Sequence, residues 1–403
     1  MIKKEFVKKI LTEGGVEEIV GREELEEKLM SGKKMIIKYG ADPTRPDLHL
    51  GHAVILRKLR QFQDLGHKVI FLIGDATTKI GDPTGKDKTR PAMTDREIKQ
   101  NAKTYIRQVS KILKTDKKLL GIRFNSEWFS KMSMFEFLKL MTMTTAARVM
   151  ERDMFEKRME SGKDIGLHEL VYPVMQGYDS VELKDDLALL GNDQKFNELF
   201  GRHYQQKFNQ APQSMMIMKL LVGLDGKEKM SKSLDNYIGV TENADSMYGK
   251  VMSVPDDVME EYFRLATDVP LGEIFKIAED LKKNKLNPRD VKMKLAFEIT
   301  KVYHGEERAQ EAQDNFVRVF QKKELPKKVK SVIVKGSGIK LTEFLTKSGS
   351  AKSLSDARRK IEQGAVELDS GKVKDYTCRL TKDKYNKSVL KVGKLKFYRI
   401  VFR

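Results

Sequence analysis

Two short segments hold residue types that could act on phosphate. One is His49-Leu50-Gly51-His52, the other Lys229-Met230-Ser231-Lys232-Ser233. His49 and His52 stand at i and i+3, a spacing that sets both imidazoles on one face of a starting helix. There they could donate to phosphate oxygens, beside the unpaired N–H groups of the first helical turn. Gly51 between them offers bare backbone against which an adenine ring could lie. In the second segment Lys229 and Lys232 sit three apart in a loop running from Gly226 to Ser233. A triphosphate attacked at its α-phosphorus needs cations on the departing pyrophosphate, and a mobile lysine loop that closes and then releases supplies them. Each segment alone also has a plain reading: two surface histidines near a turn, and a solvated charge cluster.

The elements that must position these residues follow from periodicity. Residues 35–42 (MIIKYGAD) read as a buried strand running into Asp42-Pro43-Thr44-Arg45-Pro46-Asp47, which is loop chemistry. A helix is expected over 49–65, with Ile55, Leu56, Leu59 and Phe62 at helical spacing, and 68–74 (KVIFLIG) is another buried strand. This strand–loop–helix–strand succession is the first unit of a doubly wound parallel sheet. It places the histidines just after a strand, where α/β folds bind nucleotides. Amphipathic helices are expected over 5–11 and 22–30. Residues 75–91 read as a glycine-rich loop, and Thr94 starts a helix with Glu97 completing a capping box. Strands are expected at 119–125 and 186–190, with 132–180 largely helical. The lone Trp128 reads as a packing residue. Residues 241–325 form a helical region with breaks at Pro255, Pro270 and Pro288, and Pro326 with Gly336-Ser337-Gly338 marks a linker. The end of the chain starts helical and finishes in alternating strands.

Composition sets further bounds. Hydrophobic residues make 40% of the 403, and charged residues 33%, the balance of a folded, soluble protein of two to three domains. The longest apolar run, 215–224, is ten residues and carries Lys219, too short for a transmembrane helix. The N-terminus lacks a signal-peptide core. A single cysteine, Cys378, leaves no disulfide framework or cysteine-rich zinc site. A cytoplasmic protein is expected, with no membrane association. Residues 321–403 carry 23 Lys/Arg against 8 Asp/Glu, so +15 of the +19 net charge lies in the last fifth of the chain. A concentrated basic module points to a nucleic-acid backbone; a solubilising tail is the bland alternative.

Together with their order along the chain, these motifs carry a resemblance. DPTRPDLHLGH, the loop Gly81-Asp82-Pro83-Thr84-Gly85-Lys86, the stretch from Tyr172 to Asp179 (YPVMQGYD), Gly191-Asn192-Asp193-Gln194 and the KMSKS segment resemble those of bacterial tyrosyl-tRNA synthetases. That family belongs to the class I aminoacyl-tRNA synthetases, and this chain is similar to the subgroup with HLGH and KMSKS motifs. The resemblance implies a Rossmann-like catalytic domain over 1–240, with a dimer-forming insertion at 126–165. A helical anticodon-region domain would follow at 241–325, then a linker at 326–338 and an α+β RNA-binding domain of the α-L type at 339–403. It implies that L-tyrosine and ATP give tyrosyl-adenylate and pyrophosphate, and that tyrosine then passes to the terminal ribose of its tRNA.

The resemblance also assigns roles. Asp82, Tyr172 and Gln176 would hold the tyrosine α-ammonium, and all three can accept from it. Asp179 would accept a hydrogen bond from the substrate phenol. Tyr172, Gln176 and Asp179 can share one helix face, where a core-facing stripe is the plain alternative. Gln194 would orient the substrate carboxylate and Asp193 the ribose. Asp42 and Thr44 would lie near the ATP ribose and phosphates, with Gly51, Met230 and Ser231 also at the nucleotide. His49, His52, Lys229 and Lys232 would serve the phosphates, while Lys86 and Arg90 would aid pyrophosphate or the tRNA acceptor end. Mg²⁺ would come with ATP, held by phosphates and water, with no dedicated protein site. One departure stands out. Many tyrosyl enzymes give the phenol a second partner, a tyrosine two residues before the glycine that precedes the D-P-T segment; here Lys38 occupies that position and Tyr39 follows, so neither receives a role.

Near the end of the chain, Ser353 would cap a helix presenting Arg358, Arg359 and Lys360 to RNA. The methionines from Met132 to Met154 suit an adaptable apolar surface for a homodimer, or ordinary core. Two competing readings are a tryptophanyl-tRNA synthetase and a non-catalytic RNA-binding relative. The Tyr172/Gln176/Asp179 set and the basic module argue against the first, and the intact histidines and lysines against the second.

Overall fold

The structure is a computed structural model that describes residues 4–83, 93–231, 234–321, 329–369, 371–393 and 396–403. The chain divides into two compact units. One comprises 1–242 and 253–303, the other 243–252 and 304–403.

The first unit is built on six strands: β1 (Val16–Val20), β2 (Ile36–Ala41), β3 (Lys68–Ile73), β4 (Leu120–Phe124), β5 (Leu187–Gly191) and β6 (Ser214–Met218). Their order is β1-β6-β5-β2-β3-β4, all parallel except the β1 edge, which runs antiparallel to β6. β5 and β6 are buried throughout, and β3 along all but its first residue. That explains their near-continuous apolar sequences, since parallel strands are covered on both faces. The chain builds outward from β2 to β3 and β4, then returns to β5 on the other side. The reversal leaves a crevice at the carboxyl ends of β2 and β5, the place where open α/β sheets bind ligands.

The helix Leu50–Asp64 follows β2 with His49 as its N-cap, and Thr94 and Glu97 close the expected capping box. Leu167–Leu183 packs on Lys195–Lys207 at Gly177, where a side-chain carbon would lie 2.8 Å from Phe200 Cβ. Three features differ from the sequence reading. Residues Thr77–Ile80, expected in a loop, form one helical turn held by the Thr78 hydroxyl on the Gly74 carbonyl. β1 and β6 were not expected: VEEIV lacks alternation, and SMMIM is a short apolar run that periodicity cannot assign. The region 241–325 is helical but divided, because Met259–Ala266 anchors to the first unit through Tyr262 Oη on the Val222 carbonyl, 2.8 Å.

In the second unit, Ala244–Val251 and Glu306–Phe316 pair through Tyr248 and Phe316, ring centres 5.4 Å apart. Its sheet has the order β10-β9-β12-β13-β7, from β7 (Lys330–Val334), β9 (Val366–Leu368), β10 (Gly371–Lys372), β12 (Val389–Val392) and β13 (Lys396–Phe402). A two-stranded ribbon joins β8 (Gly338–Lys340) to β11 (Arg379–Thr381). Phe344, Leu345, Ala357, Ile361 and Ile400 form the core. The segment expected as linker, 326–338, therefore supplies β7, parallel to β13. Val332 and Val334 are buried while Ile333 is exposed, a period-two pattern that decides for strand.

Candidate active site

A cleft of about 400 Å³ opens at the β2/β5 reversal. Every small-molecule site residue expected from sequence that falls within the described residues lines it: Asp42, Thr44, His49, Gly51, His52, Asp82, Tyr172, Gln176, Asp179, Asp193, Gln194, Lys229, Met230 and Ser231. Lys86, Arg90 and Lys232 lie outside the described residues.

The start of the histidine helix is tied to the chain that follows the lysine segment. His49 and Gly239 form an antiparallel bridge, with Leu50 N–H on the Ile238 carbonyl and Val240 N–H on that of Leu48, each 3.0 Å. The imidazoles of His49 and His52 lie with centres 3.9 Å apart and their planes tilted by 56°, and the His49 backbone N–H donates to His52 Nδ1 at 3.3 Å. At Gly51 an added side-chain carbon would crowd the His49 ring, with Nδ1 at 3.0 Å.

The second motif is braced rather than open up to Ser231. Asn236, 5% exposed, accepts from Ser231 N–H at 2.8 Å and donates to Asp225 at 2.8 Å and to the Lys229 carbonyl at 3.2 Å. Met230 N–H closes on the Leu221 carbonyl, 2.8 Å. Lys229 Nζ meets Asp193 Oδ2 at 3.1 Å, so the lysine expected at pyrophosphate and the carboxylate expected at the ribose are paired with each other.

Asp42 directly follows β2 and is held on both oxygens, by Thr77 Oγ1 at 2.8 Å and Tyr172 Oη at 2.9 Å. Gly74 makes room for this, because a side-chain carbon there would sit 2.0 Å from Asp42 Oδ1. Burial first, and Asp42 next, push the Tyr172 phenol well up, so it stays a neutral donor. Asp82 accepts from Gln194 Nε2 at 2.8 Å, with the buried Arg152 4.0 Å away. Two turns along the Leu167–Leu183 helix from Tyr172, Asp179 is 3% exposed. It accepts from Trp128 Nε1 at 3.0 Å and Asn125 Nδ2 at 3.4 Å. Burial drives its carboxyl well above the usual range, against the pull of Lys38 and these two donors.

Trp128 is thus more than the packing residue expected. Sequence reasoning also missed Asn125, Asn236 and Glu198. Glu198 is 4% exposed and accepts from Gln176 Nε2 (2.9 Å) and Gln213 Nε2 (2.7 Å), besides pairing with Lys38. Nothing local marks it, since it lies within an ordinary helix.

In the second unit, Ser353 caps Leu354–Glu362 as expected. Arg358 lies over the Tyr376 ring at 3.9 Å and bonds Glu362. Arg359 and Lys360 both bond Asp356, whose carboxyl is held far below its usual range first by Lys360. Arg358 and Arg359 remain exposed; Lys360 is half-buried, with a further bond to the Ser350 carbonyl.

A parallel sheet whose reversal gathers a paired-histidine helix start and a lysine loop defines a class I aminoacyl-tRNA synthetase. Residues 30–321 match the model of "tRNA synthetases class I (W and Y)" and 321–400 that of the "Tyrosine--tRNA ligase SYY-like C-terminal domain". A tyrosine–tRNA ligase of Thermotoga maritima is 46% identical over 385 residues, 96% of this chain and 95% of that one. One from Moorella thermoacetica is 48% identical over 390 residues, 96% and 94%. The chain belongs to the tyrosine–tRNA ligase family. Its fold agrees with the crystal structure of a C-terminally truncated mitochondrial tyrosyl-tRNA synthetase of Aspergillus nidulans (TM-score 0.65, 24% identity, 78% of this chain and 94% of that one).

Proposed function

We propose that this cleft activates L-tyrosine with ATP and hands the tyrosyl group to tRNA. The observation that carries this reading is the shared cleft. A slot walled by Tyr172, Gln176 and Asp179 joins a phosphate end made of His49, His52 and Lys229. In this reading the α-ammonium sits among Asp82, Tyr172 and Gln176, and Gln194 steers the carboxylate. Asp179 accepts a hydrogen bond from the phenol. The carboxylate oxygen attacks the α-phosphorus of ATP as the bond to pyrophosphate breaks. The histidines and Lys229 meet the charge that leaves, and Asp193, released from Lys229, takes the ribose. Lys86, Arg90 and Lys232 complete that cationic set. A terminal ribose hydroxyl of tRNA then attacks the tyrosyl carbonyl and AMP departs. No side-chain nucleophile is needed, because positioning and preorganised charge supply the catalysis.

Magnesium enters on the ATP phosphates. The cleft carboxylates Asp42, Asp82, Asp179 and Asp193 already hold protein donors, which suits a metal kept by phosphate and water. Helices within 241–325 lie toward the anticodon, and Arg358, Arg359 and Lys360 with the rest of the basic module hold the tRNA backbone. The enzyme acts in the cytoplasm as a homodimer. Met134 and Phe135, 76% and 83% exposed on the helix Met134–Met141, supply an apolar face suited to a second copy.

Amino-acid-dependent ATP–pyrophosphate exchange with all twenty amino acids tests the core of this reading. Exchange with tyrosine and little with phenylalanine or tryptophan is expected; a preference for tryptophan overturns it.

A further inference from the structure

The floor of the amino-acid slot holds a lysine that the reaction above does not use. Lys38 lies on β2 four residues before Asp42, the first residue beyond the strand, and both line the same cleft. Tyr39 leaves the other face and packs on Phe71, ring centres 5.9 Å apart. On the opposing helix, Tyr172 bonds Asp42 and Asp179 follows seven residues later. The slot therefore has its mouth at Asp42 and Tyr172 and its floor at Lys38, Asp179 and Ser180. Lys38 is 3% exposed yet lines the cleft. Its Nζ donates to Ser180 Oγ at 2.5 Å and pairs with Glu198 Oε1. Burial would strip its proton, but Asp185, Glu198 and Asp179 around it hold the ammonium charged. An ammonium carries three protons. Ser180 and Glu198 take two.

We propose that Lys38 determines amino-acid specificity by donating its third N–H to the phenol oxygen of bound tyrosine, while Asp179 accepts a hydrogen bond from the phenol. A phenol hydroxyl is both acceptor and donor, and a fixed ammonium beside a fixed carboxylate is its complement. Trp128 and Asn125 orient the carboxylate; Ser180 and Glu198 orient the ammonium. Phenylalanine in the same slot leaves one N–H of the ammonium and one acceptor position of Asp179 desolvated and unfilled, which is costly. The assignment rests on the tyrosine-slot reading and deepens it by naming the second partner of the phenol.

Exchange kinetics with tyrosine and 4-aminophenylalanine test it. The analogue keeps an N–H for Asp179, but its arylamine nitrogen is a poor acceptor. Wild-type enzyme is expected to favour tyrosine by about tenfold or more in kcat/KM, the worth of one charged hydrogen bond. In Lys38→Met the ratio falls toward one, with tyrosine KM rising more than kcat falls. Lys38→Met combined with Glu198→Gln removes the buried charge together with its partner, and shows the same collapse. The wild-type comparison stands even where a variant fails to fold. Equal use of both substrates by wild type, or a wild-type ratio in the variants, overturns the Lys38 assignment. Absence of any exchange with tyrosine in wild type overturns the slot reading itself.

Discussion

Trp128, the chain's one tryptophan, donates its indole N–H to Asp179 at 3.0 Å, so the only strong intrinsic fluorophore touches the floor of the proposed amino-acid slot. Tyrosine binding should therefore change tryptophan emission, saturably and without ATP. Trp128→Phe keeps the packing but leaves a buried carboxyl one donor short in the free protein, costing about 1–3 kcal/mol of stability. Urea midpoints of wild type and variant measure this, and unchanged stability would show that the indole N–H does not hold Asp179.

Lys229→Ala should slow adenylate formation far more than it weakens tyrosine binding. Its partner in the free enzyme is Asp193, and its proposed partner in the reaction is pyrophosphate rather than any part of tyrosine. A loss confined to the transition state lowers kcat without raising the tyrosine Kd. Rapid-quench rates beside equilibrium binding distinguish this from a structural loop, which would lose both equally.

Ending the chain after Gln321 should preserve pyrophosphate exchange and abolish most tRNA charging. The two family models meet at residue 321, and the residues beyond it hold most of the net charge. The truncated protein should also show a flatter dependence of tRNA affinity on salt, as fewer counterions are released. Filter binding across a salt series reads this out. Full charging by the truncated enzyme would show that the basic module is not a tRNA contact.

His67 makes stability depend on pH. Its Nδ1 accepts from the Met35 N–H at 3.2 Å, a bond that needs the neutral ring, and burial pushes its pKa down to about 4. The unfolded chain takes up that proton near pH 6.5, so the stabilisation is complete above that pH and is lost as pH falls toward 4. At pH 5 the loss reaches about 2 kcal/mol. Urea midpoints at pH 7 and 5 for wild type and His67→Gln test this; the variant should lose less between the two.

What the sequence determined was local or periodic. The strands β2 to β5, the helix from His49, the Thr94–Glu97 and Ser353 caps and the Tyr172–Gln176–Asp179 face all depend on residues within a few positions of each other. What only the tertiary structure decided joins distant positions. Asp42 meets Tyr172 across 130 residues, Lys38 meets Ser180 across 142, and Trp128 meets Asp179 across 51. Glu198 and Asn236 occupy unremarkable sequence, and their roles exist only because burial demands a partner for every charge and amide. The strand β7 was hidden for a related reason. Its neighbour β13 lies at the far end of the chain, and strand pairing is a property of the fold, not of either segment.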